Sequence, residues 1–302
     1  MPKTLKFCVA IPTYNGAAWI KQTLQSILAQ SFQNFEILIC DDGSTDETLK
    51  IIRSFRSKKI KIIANKINVG YGKNLQRIKK FATGEVLFLM GQDDILLPGA
   101  LQKTHDAFFV DKNIGLVVRP YYWFMKDFKK PVRRAGVSLF EAAGQLSGLA
   151  CLRKYLTTDF QTDTFVAHVY PLANIARDHK VIFLEDDTVA VRIESSQTRF
   201  KASIYDPSPV ASWVKMFNVV FPEEKFKEVR RLGIEHITTH FVGLAQIKNY
   251  GTTKQLFREI YYLAKLNPKN LLRINYWIFS LGAIIIPRRL LIRAVDFFKP
   301  KL

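Results

Sequence analysis

The stretch Phe35-Glu-Ile-Leu-Ile-Cys-Asp-Asp-Gly-Ser-Thr-Asp46 decides the fold. Its first half, Phe35 to Cys40, is a short apolar run, which is how a buried strand reads. The run stops at Asp41-Asp42-Gly43, a turn. Ser44-Thr45-Asp46 then opens a helix whose apolar face carries Leu49, Ile52 and Phe55, with Ser44 or Thr45 as its N-cap and Glu47 as an acidic first-turn residue. A strand, a polar turn and a helix in that order form one half of a strand–helix–strand unit.

Outward from this stretch the unit repeats. Upstream, Lys6 to Pro12 reads as a strand and Ala18 to Gln30 as a helix. Downstream, Lys59 to Ala64 is a third strand, Asn74 to Ala82 a helix, and Glu85 to Met90 a fourth strand ending at Gln92-Asp93-Asp94. Such repetition predicts an α/β fold, a mostly parallel sheet with helices on both faces. Ligands of these sheets bind beyond the carboxyl ends of the strands. The polar residues concentrate there: Tyr14 and Asn15 after the first strand, Asp41 and Asp42 after the second, Asp93 and Asp94 after the fourth. Beyond about Leu101 the pattern is less regular, with strands at Ile114 to Arg119 and Val181 to Leu184. From about Pro209 it turns helical.

Composition limits the class. A hydrophobic share of 48% is that of a globular chain, which excludes bulk disorder. Forty-five basic residues against twenty-six acidic ones give a net charge of +19, a field that draws in nucleic acid, anionic lipid or phosphorylated small molecules. Cys8, Cys40 and Cys151 form no Cys-x-x-Cys pair, so they are expected as buried, reduced thiols. No apolar run reaches the roughly 20 residues that span a bilayer. The nearest, Tyr276 to Pro287, is interrupted by Ser280 and Gly282. Together with the lack of a signal-like start, this predicts a protein on the cytoplasmic side, peripheral to the membrane. Leu271 to Lys301 combines aromatic and aliphatic residues with Arg288, Arg289, Arg293, Lys299 and Lys301, as in a pair of interfacial helices.

Adjacent carboxylates repel unless a cation or water separates them. Taken singly, Asp93-Asp94 also reads as a cap for the helix near Pro98 to Phe109, and Asp41-Asp42 as a turn. At a strand end, hard oxygens of this kind suit Mg²⁺ or Mn²⁺, which would also hold phosphate oxygens.

Five ordered pieces give the chain its resemblance: Ala10-Ile-Pro-Thr-Tyr-Asn15, Ser31 through Asp46, Asn68-Val-Gly70 with Lys73-Asn74, Thr83-Gly-Glu85, and Asp93-Asp94 with Pro98. The first third of the chain thereby resembles family-2 glycosyltransferases of the GT-A fold. The resemblance implies a GT-A domain, expected over residues 1–205 with a nucleotide-sugar half (1–100) and an acceptor half (101–205); the basic, apolar tail described above makes residues 206–302 a helical, membrane-associating region. It implies Pro12, Tyr14 and Asn15 lining a nucleotide pocket, Asp41 on the base with Asp42 close by, and Lys73 facing the nucleotide. Asp93 and Asp94 would hold ribose and metal. The commoner form is Asp-x-Asp-Asp, and Gly91 stands here at its first position. Asp94 is then the expected metal contact, with Asp93 on the ribose or as a second metal ligand.

The implied reaction is transfer of a sugar, with inversion, from a nucleotide diphosphate, UDP foremost, to a glycan or lipid-linked acceptor in cell-surface polysaccharide synthesis. Mg²⁺ or Mn²⁺ would stabilise the leaving group and a base would deprotonate the acceptor. In relatives the base precedes a helix that leads into a strand and an acidic turn. Here the strand and turn are Lys180-Val-Ile-Phe-Leu-Glu-Asp-Asp187, the helix is about Tyr170 to Ala176, and the base is expected among Asp163, His168 and Asp159, with Asp163 first. Beyond the turn come Arg192 and then Arg199, a candidate for closing on the diphosphate. Two other readings compete. A nucleic-acid-binding protein explains the charge but not the clustered carboxylates, and no nucleic-acid-binding motif is present. A non-catalytic scaffold of the same fold is the second alternative.

Overall fold

Six of the seven residues of strand β1 (Phe7–Thr13) are buried. In the computed structural model, which describes residues 4–124, 132–134, 143–162, 166–194 and 202–291, apolar residues cover both its faces. Phe7, Val9 and Ile11 join the main core with Ile37, Ile39, Val86 and Phe88, while Cys8 and Ala10 are fully buried on the other side. This is the double burial that a continuous apolar run demands.

β1 lies between β2 (Phe35–Asp41) and β4 (Val86–Leu89) and is parallel to both, and β3 (Ile60–Ala64) continues the parallel set beyond β2. The seven-stranded sheet has the order β10-β6-β9-β4-β1-β2-β3. In it, β6 (Ile114–Val118) pairs in parallel with β10 (Lys180–Phe183), and β9 (Leu149–Leu152) runs antiparallel to both β4 and β6. Sequence reading missed β9, a four-residue strand in the irregular middle. It begins just past Gly148, whose φ of +85° sets the turn that reverses the chain. A second sheet, also not anticipated, has the order β5 (Ile95–Leu96), β11 (Val189–Arg192), β7 (Tyr121–Phe124), β8 (Val132–Arg134).

The helices are α1 (Ile20–Leu28), α2 (Thr48–Ser54), α3 (Tyr71–Phe81), α4 (Ala100–Ala107) and α5 (Val169–Asp178). Two begin where local sequence did not put them. α2 starts at Thr48, because the Ser44 side chain is drawn onto Asp41 and Thr45 is held by Asn15. α3 starts three residues before Asn74, because the Asp42 carboxylate accepts from Val69 N (2.9 Å) and Gly70 N (2.9 Å) and fixes the turn ahead of it.

The chain divides into two compact units, Met1–Thr162 with Ala167–Ile193, and Glu194–Leu302 with Asp163–Val166. The described helices of the second are α6 (Pro209–Val220), α7 (Lys227–Thr238), α8 (Gly243–Tyr250), α9 (Thr253–Leu266) and α10 (Ile274–Ile285). They pack around Val210, Phe241, Leu244, Ile247, Leu256, Leu263 and Tyr276. α9 opens with a capping box, Thr252 and Gln255 satisfying each other's backbone amides. Among the described residues no helix is long and apolar enough to cross a membrane. Arg293, Phe297, Phe298, Lys299 and Lys301 lie outside the described residues.

Candidate active site

β4, β1 and β2 are neighbours, so the loops leaving their carboxyl ends lie along one edge. Hydrogen bonds stitch them together. Asn15 takes a left-handed φ of 47°. Its amide donates to Ser44 Oγ (2.9 Å), and its Oδ1 accepts from Thr45 N (2.9 Å). Gly16 N donates to Thr48 Oγ1 (2.7 Å) and Ala17 N to Asp46 Oδ2 (3.1 Å). On the other side, the Gln92 side chain spans the backbone of Tyr14, accepting from its N–H (2.9 Å) and donating to its carbonyl (3.1 Å). Gly16 leaves room for that bridge: a Cβ there would stand 2.4 Å from Gln92 Oε1, so a larger residue would have to push the Gln92 side chain aside.

Asp41 and Asp42 are buried, at 0% and 3% exposure, and each serves its own loop. Asp41 accepts from Thr13 Oγ1 (3.0 Å), Ser44 Oγ (2.5 Å) and Ser44 N (2.9 Å). Asp42 accepts from Asn65 Nδ2 (2.8 Å) as well as from Val69 and Gly70. Lys73 is exposed on the first turn of α3. That helix is tied to the end of β2 through Asn74 Nδ2, which donates to the Cys40 carbonyl (2.7 Å). Pro12 and Tyr14 are half-buried and Asn15 is exposed.

The loop after β4 carries the most concentrated chemistry. The Asp94 carboxylate is buried and engaged at both oxygens: Oδ1 accepts from Arg192 N (2.9 Å) and Oδ2 from Ser147 Oγ. Ser147 Oγ in turn accepts from Gly91 N (2.7 Å). The loop bearing Ser147 is held by the buried Arg119, which donates to the carbonyls of Gln145 (2.8 Å) and Ser147. Burial lowers the Arg119 pKa to about 10 and, together with the Asp93 charge, raises that of Asp94 well above the usual carboxylate range. Arg192 donates from Nε to the Asp93 carbonyl (2.9 Å), and its guanidinium stacks on Trp19 and Phe124 at 4.3 and 4.5 Å.

Gly91 matters for its missing side chain. A Cβ there would meet Ser147 Oγ at 2.9 Å, Asp93 Oδ1 at 3.0 Å and Asp94 Oδ2 at 3.1 Å. Three hard oxygens therefore converge on one small space, and the buried Asp94 carboxylate favours taking up positive charge there, as a proton or as a cation. Such donors fit Mg²⁺ or Mn²⁺, which bind through one or two carboxylates and leave other positions to water and phosphate. No cluster of three or more His, Cys, Asp or Glu side chains able to hold a metal occurs among the described residues.

The expected bases fare differently. His168 is buried at the N-cap of α5. Its Nε2 donates to the Ala143 carbonyl (2.6 Å), so Nδ1 is the nitrogen that accepts from Tyr71 Oη (3.2 Å). Both ring nitrogens are thus taken, and burial pushes the pKa down to about 4. Asp159 is exposed and paired with Lys79 (2.6 Å), near the C-terminal end of α3. Asp163 and Arg199 lie outside the described residues. Sequence reasoning missed Gln92, Ser147 and Arg119. Ser147 and Arg119 lie in the irregular middle, and the one sequence signal pointing to Ser147 was the anomalous Gly91.

Residues 8–182 match the family model described as glycosyl transferase family 2. The Escherichia coli UDP-Glc:alpha-D-GlcNAc-diphosphoundecaprenol beta-1,3-glucosyltransferase WfgD is 30% identical over 94 residues, 31% of this chain and 37% of WfgD. The chain spans about a third of the length of the curated relatives it matches first. Among solved structures, the mannosyltransferase PcManGT from Pyrobaculum calidifontis, in complex with GDP-Man and Mn²⁺, superposes with a TM-score of 0.61 at 17% identity, covering 94% of this chain and 87% of its own. S. aureus TarS with UDP-GlcNAc gives a TM-score of 0.59 at 19% identity, covering 94% and 82%. At these identities the two structures establish the fold, which is GT-A.

Proposed function

The chain belongs to glycosyl transferase family 2, and from that premise we propose that it moves a sugar from a nucleotide diphosphate sugar to a hydroxyl of a glycan or lipid-linked acceptor, in cell-surface polysaccharide synthesis at the cytoplasmic face of a membrane. The observation that carries the reading is the contiguity of β4, β1 and β2, whose terminal loops bring Asp93, Asp94, Tyr14, Asn15 and Asp41 to one edge. UDP is the nucleotide we assign, in keeping with TarS and WfgD; a lipid-linked acceptor is in keeping with the name of WfgD, and a divalent ion with PcManGT.

In this reading the buried Asp41, spent on Thr13 and Ser44, shapes the base pocket from behind rather than touching the base as expected from the sequence, and Pro12, Tyr14 and Asn15 form the wall beside the base, with Asp42 bracing the loop. Lys73 and Arg199 face the diphosphate. Asp93 and Asp94 would hold Mg²⁺ or Mn²⁺, and we reverse the order expected from sequence: the half-exposed Asp93 would make the leading contact, while the buried Asp94, held by Ser147 Oγ and Arg192 N, closes the space beside Gly91 from within. The ion would supply charge neutralisation for the departing diphosphate. Asp163 takes the acceptor proton as the hydroxyl attacks the anomeric carbon from the face opposite the leaving group, which inverts that carbon. His168, neutral and doubly hydrogen-bonded, orients the start of α5 rather than reacting. Partners are the donor, the acceptor and a membrane surface reached through the C-terminal helices.

A thermal-shift screen of nucleotides and nucleotide sugars with Mn²⁺ tests the donor. At a hundredfold excess over Kd, a ligand of the native state adds about 2.7 kcal/mol of stability. UDP sugars are expected to raise Tm. Stabilisation by DNA with none by any nucleotide sugar would contradict the reading. Asp163→Asn is expected to lower kcat at least a hundredfold, on the scale of about 10²–10⁴ for general-base catalysis, with donor binding kept. Full activity in that variant removes Asp163 as the base.

A further inference from the structure

α10 turns its apolar side outward. Its inward face is Tyr276, Ser280 and Ala283, with Tyr276 Oη donating to the Ile260 carbonyl (3.1 Å) and its ring against Phe241. On the opposite face Ile274, Ile278, Leu281 and Ile285 recur at i, i+4, i+7 and i+11 with Trp277 alongside, each between 45% and 75% exposed. Leu271 and Leu272, in the 3-10 turn just before, are exposed as well. Water-facing helices place such a stripe inward, and a contiguous exposed one marks a contact surface.

Charge identifies the occupant. From Ile260 to Val295 the sequence has no acidic residue and six cations: Lys265, Lys269, Arg273, Arg288, Arg289 and Arg293. Arg288 and Arg289 are exposed immediately past Pro287, and Lys248 reaches the Ile284 carbonyl at 3.3 Å. A second copy docked through the same face would set two patches of the same positive sign against each other, since a two-fold contact uses one surface on both subunits. An anionic surface neutralises them. Beside the start of the stripe, Phe241, Val242, Ile274 and Phe279 line an open hollow of about 510 Å³ together with His240 and Arg273, which adds depth for an acyl chain. The helix has 12 residues, about 18 Å of length against a hydrocarbon core of about 30 Å. It therefore suits the membrane plane rather than a crossing.

We infer that the outward stripe of α10 docks in the interfacial zone of an anionic lipid bilayer, with the helix axis parallel to the surface and Arg288 and Arg289 on the headgroups. This deepens the membrane part of the proposed function and rests on it, but not on the donor chemistry.

The test is co-sedimentation of the full chain with phosphatidylcholine vesicles, with and without phosphatidylglycerol, at low and high salt. Wild type binds the anionic vesicles and salt weakens the binding. Ile278→Glu with Leu281→Glu, both at exposed positions, lowers the partition coefficient about tenfold or more with Tm unchanged. Arg288→Glu with Arg289→Glu lowers it on anionic vesicles alone, by about fivefold per charge. If the double glutamate variant loses its fold, Ile278→Gln carries the comparison. Equal partitioning of wild type and variants overturns the inference. So does a wild type that ignores vesicles, or whose self-association, measured by light scattering, is what the variants abolish. The UDP thermal shift is read on the same samples. Wild type that binds vesicles without a nucleotide shift upholds the surface and removes the donor assignment.

Discussion

Ser147 and Gly91 depend on each other. The serine hydroxyl occupies the space a side chain at 91 would need, and it links the Gly91 amide to the Asp94 carboxylate. Gly91→Ala is therefore expected to weaken UDP binding in the presence of Mn²⁺ by displacing the loop that carries Asp93. Ser147→Ala leaves a buried carboxylate oxygen short of a donor, costing about 1–3 kcal/mol of stability. Because both changes act on one contact, their effects on UDP affinity should be strongly non-additive in a double-mutant cycle. Independent, additive effects would contradict the linkage. His168 gives a prediction in pH. Burial holds its pKa near 4 in the folded protein, against an ordinary value of about 6.5. The unfolded chain therefore binds the extra proton first on acidification, and the stability this neutral histidine contributes, intact above about 6.5, is lost as pH falls toward 4. The full effect is about 3 kcal/mol. Denaturant unfolding of wild type and His168→Gln should show their stability difference changing across that window. A constant difference would mean that His168 titrates normally.

At the scale of elements, periodicity sufficed wherever a strand was buried on both faces and the next helix followed within a few residues. That is why β1, β2 and β4 and the three loops of the crevice were legible; β3, which buries no residue fully, was legible from its run of isoleucines. What escaped was non-local. β9 and the second sheet exist through pairing with strands distant in sequence. The starts of α2 and α3 escaped because carboxylates from the preceding loop, not local caps, define them. The residues of the site were legible as types at strand ends. Their division of labour was not, since Asp94 became the bracing partner only once Ser147 and Arg192 were brought to it. Asp42 illustrates the same point: one carboxylate clamps Asn65, Val69 and Gly70. Asp42→Ala should cost about 3 kcal/mol, since hydrogen bonds to a charged group are the stronger kind, and should speed amide exchange at Val69 and Gly70 ahead of the rest of α3. Protection at those amides equal to wild type would show that the clamp is not what holds the turn.

For the whole molecule, the net charge of +19 and the buried carboxylates of the crevice serve different ligands. A diffuse basic surface binds polyanions through counterion release, so retention on DNA should fade steeply by physiological salt. UDP binding with Mn²⁺ is built from directed contacts at one edge and should survive the same salt. If both fade together, the nucleotide is held by the general field and the crevice is not its site. The most direct measurement is calorimetric titration of UDP into wild type, Asp93→Ala and Asp94→Ala, each with Mn²⁺ and with EDTA. In wild type Mn²⁺ should tighten binding at least tenfold, about 1.4 kcal/mol, and in both variants that difference should vanish. Equal affinity with Mn²⁺ and EDTA in wild type, or a metal effect that persists in both variants, would contradict a metal-assisted nucleotide site at Asp93 and Asp94.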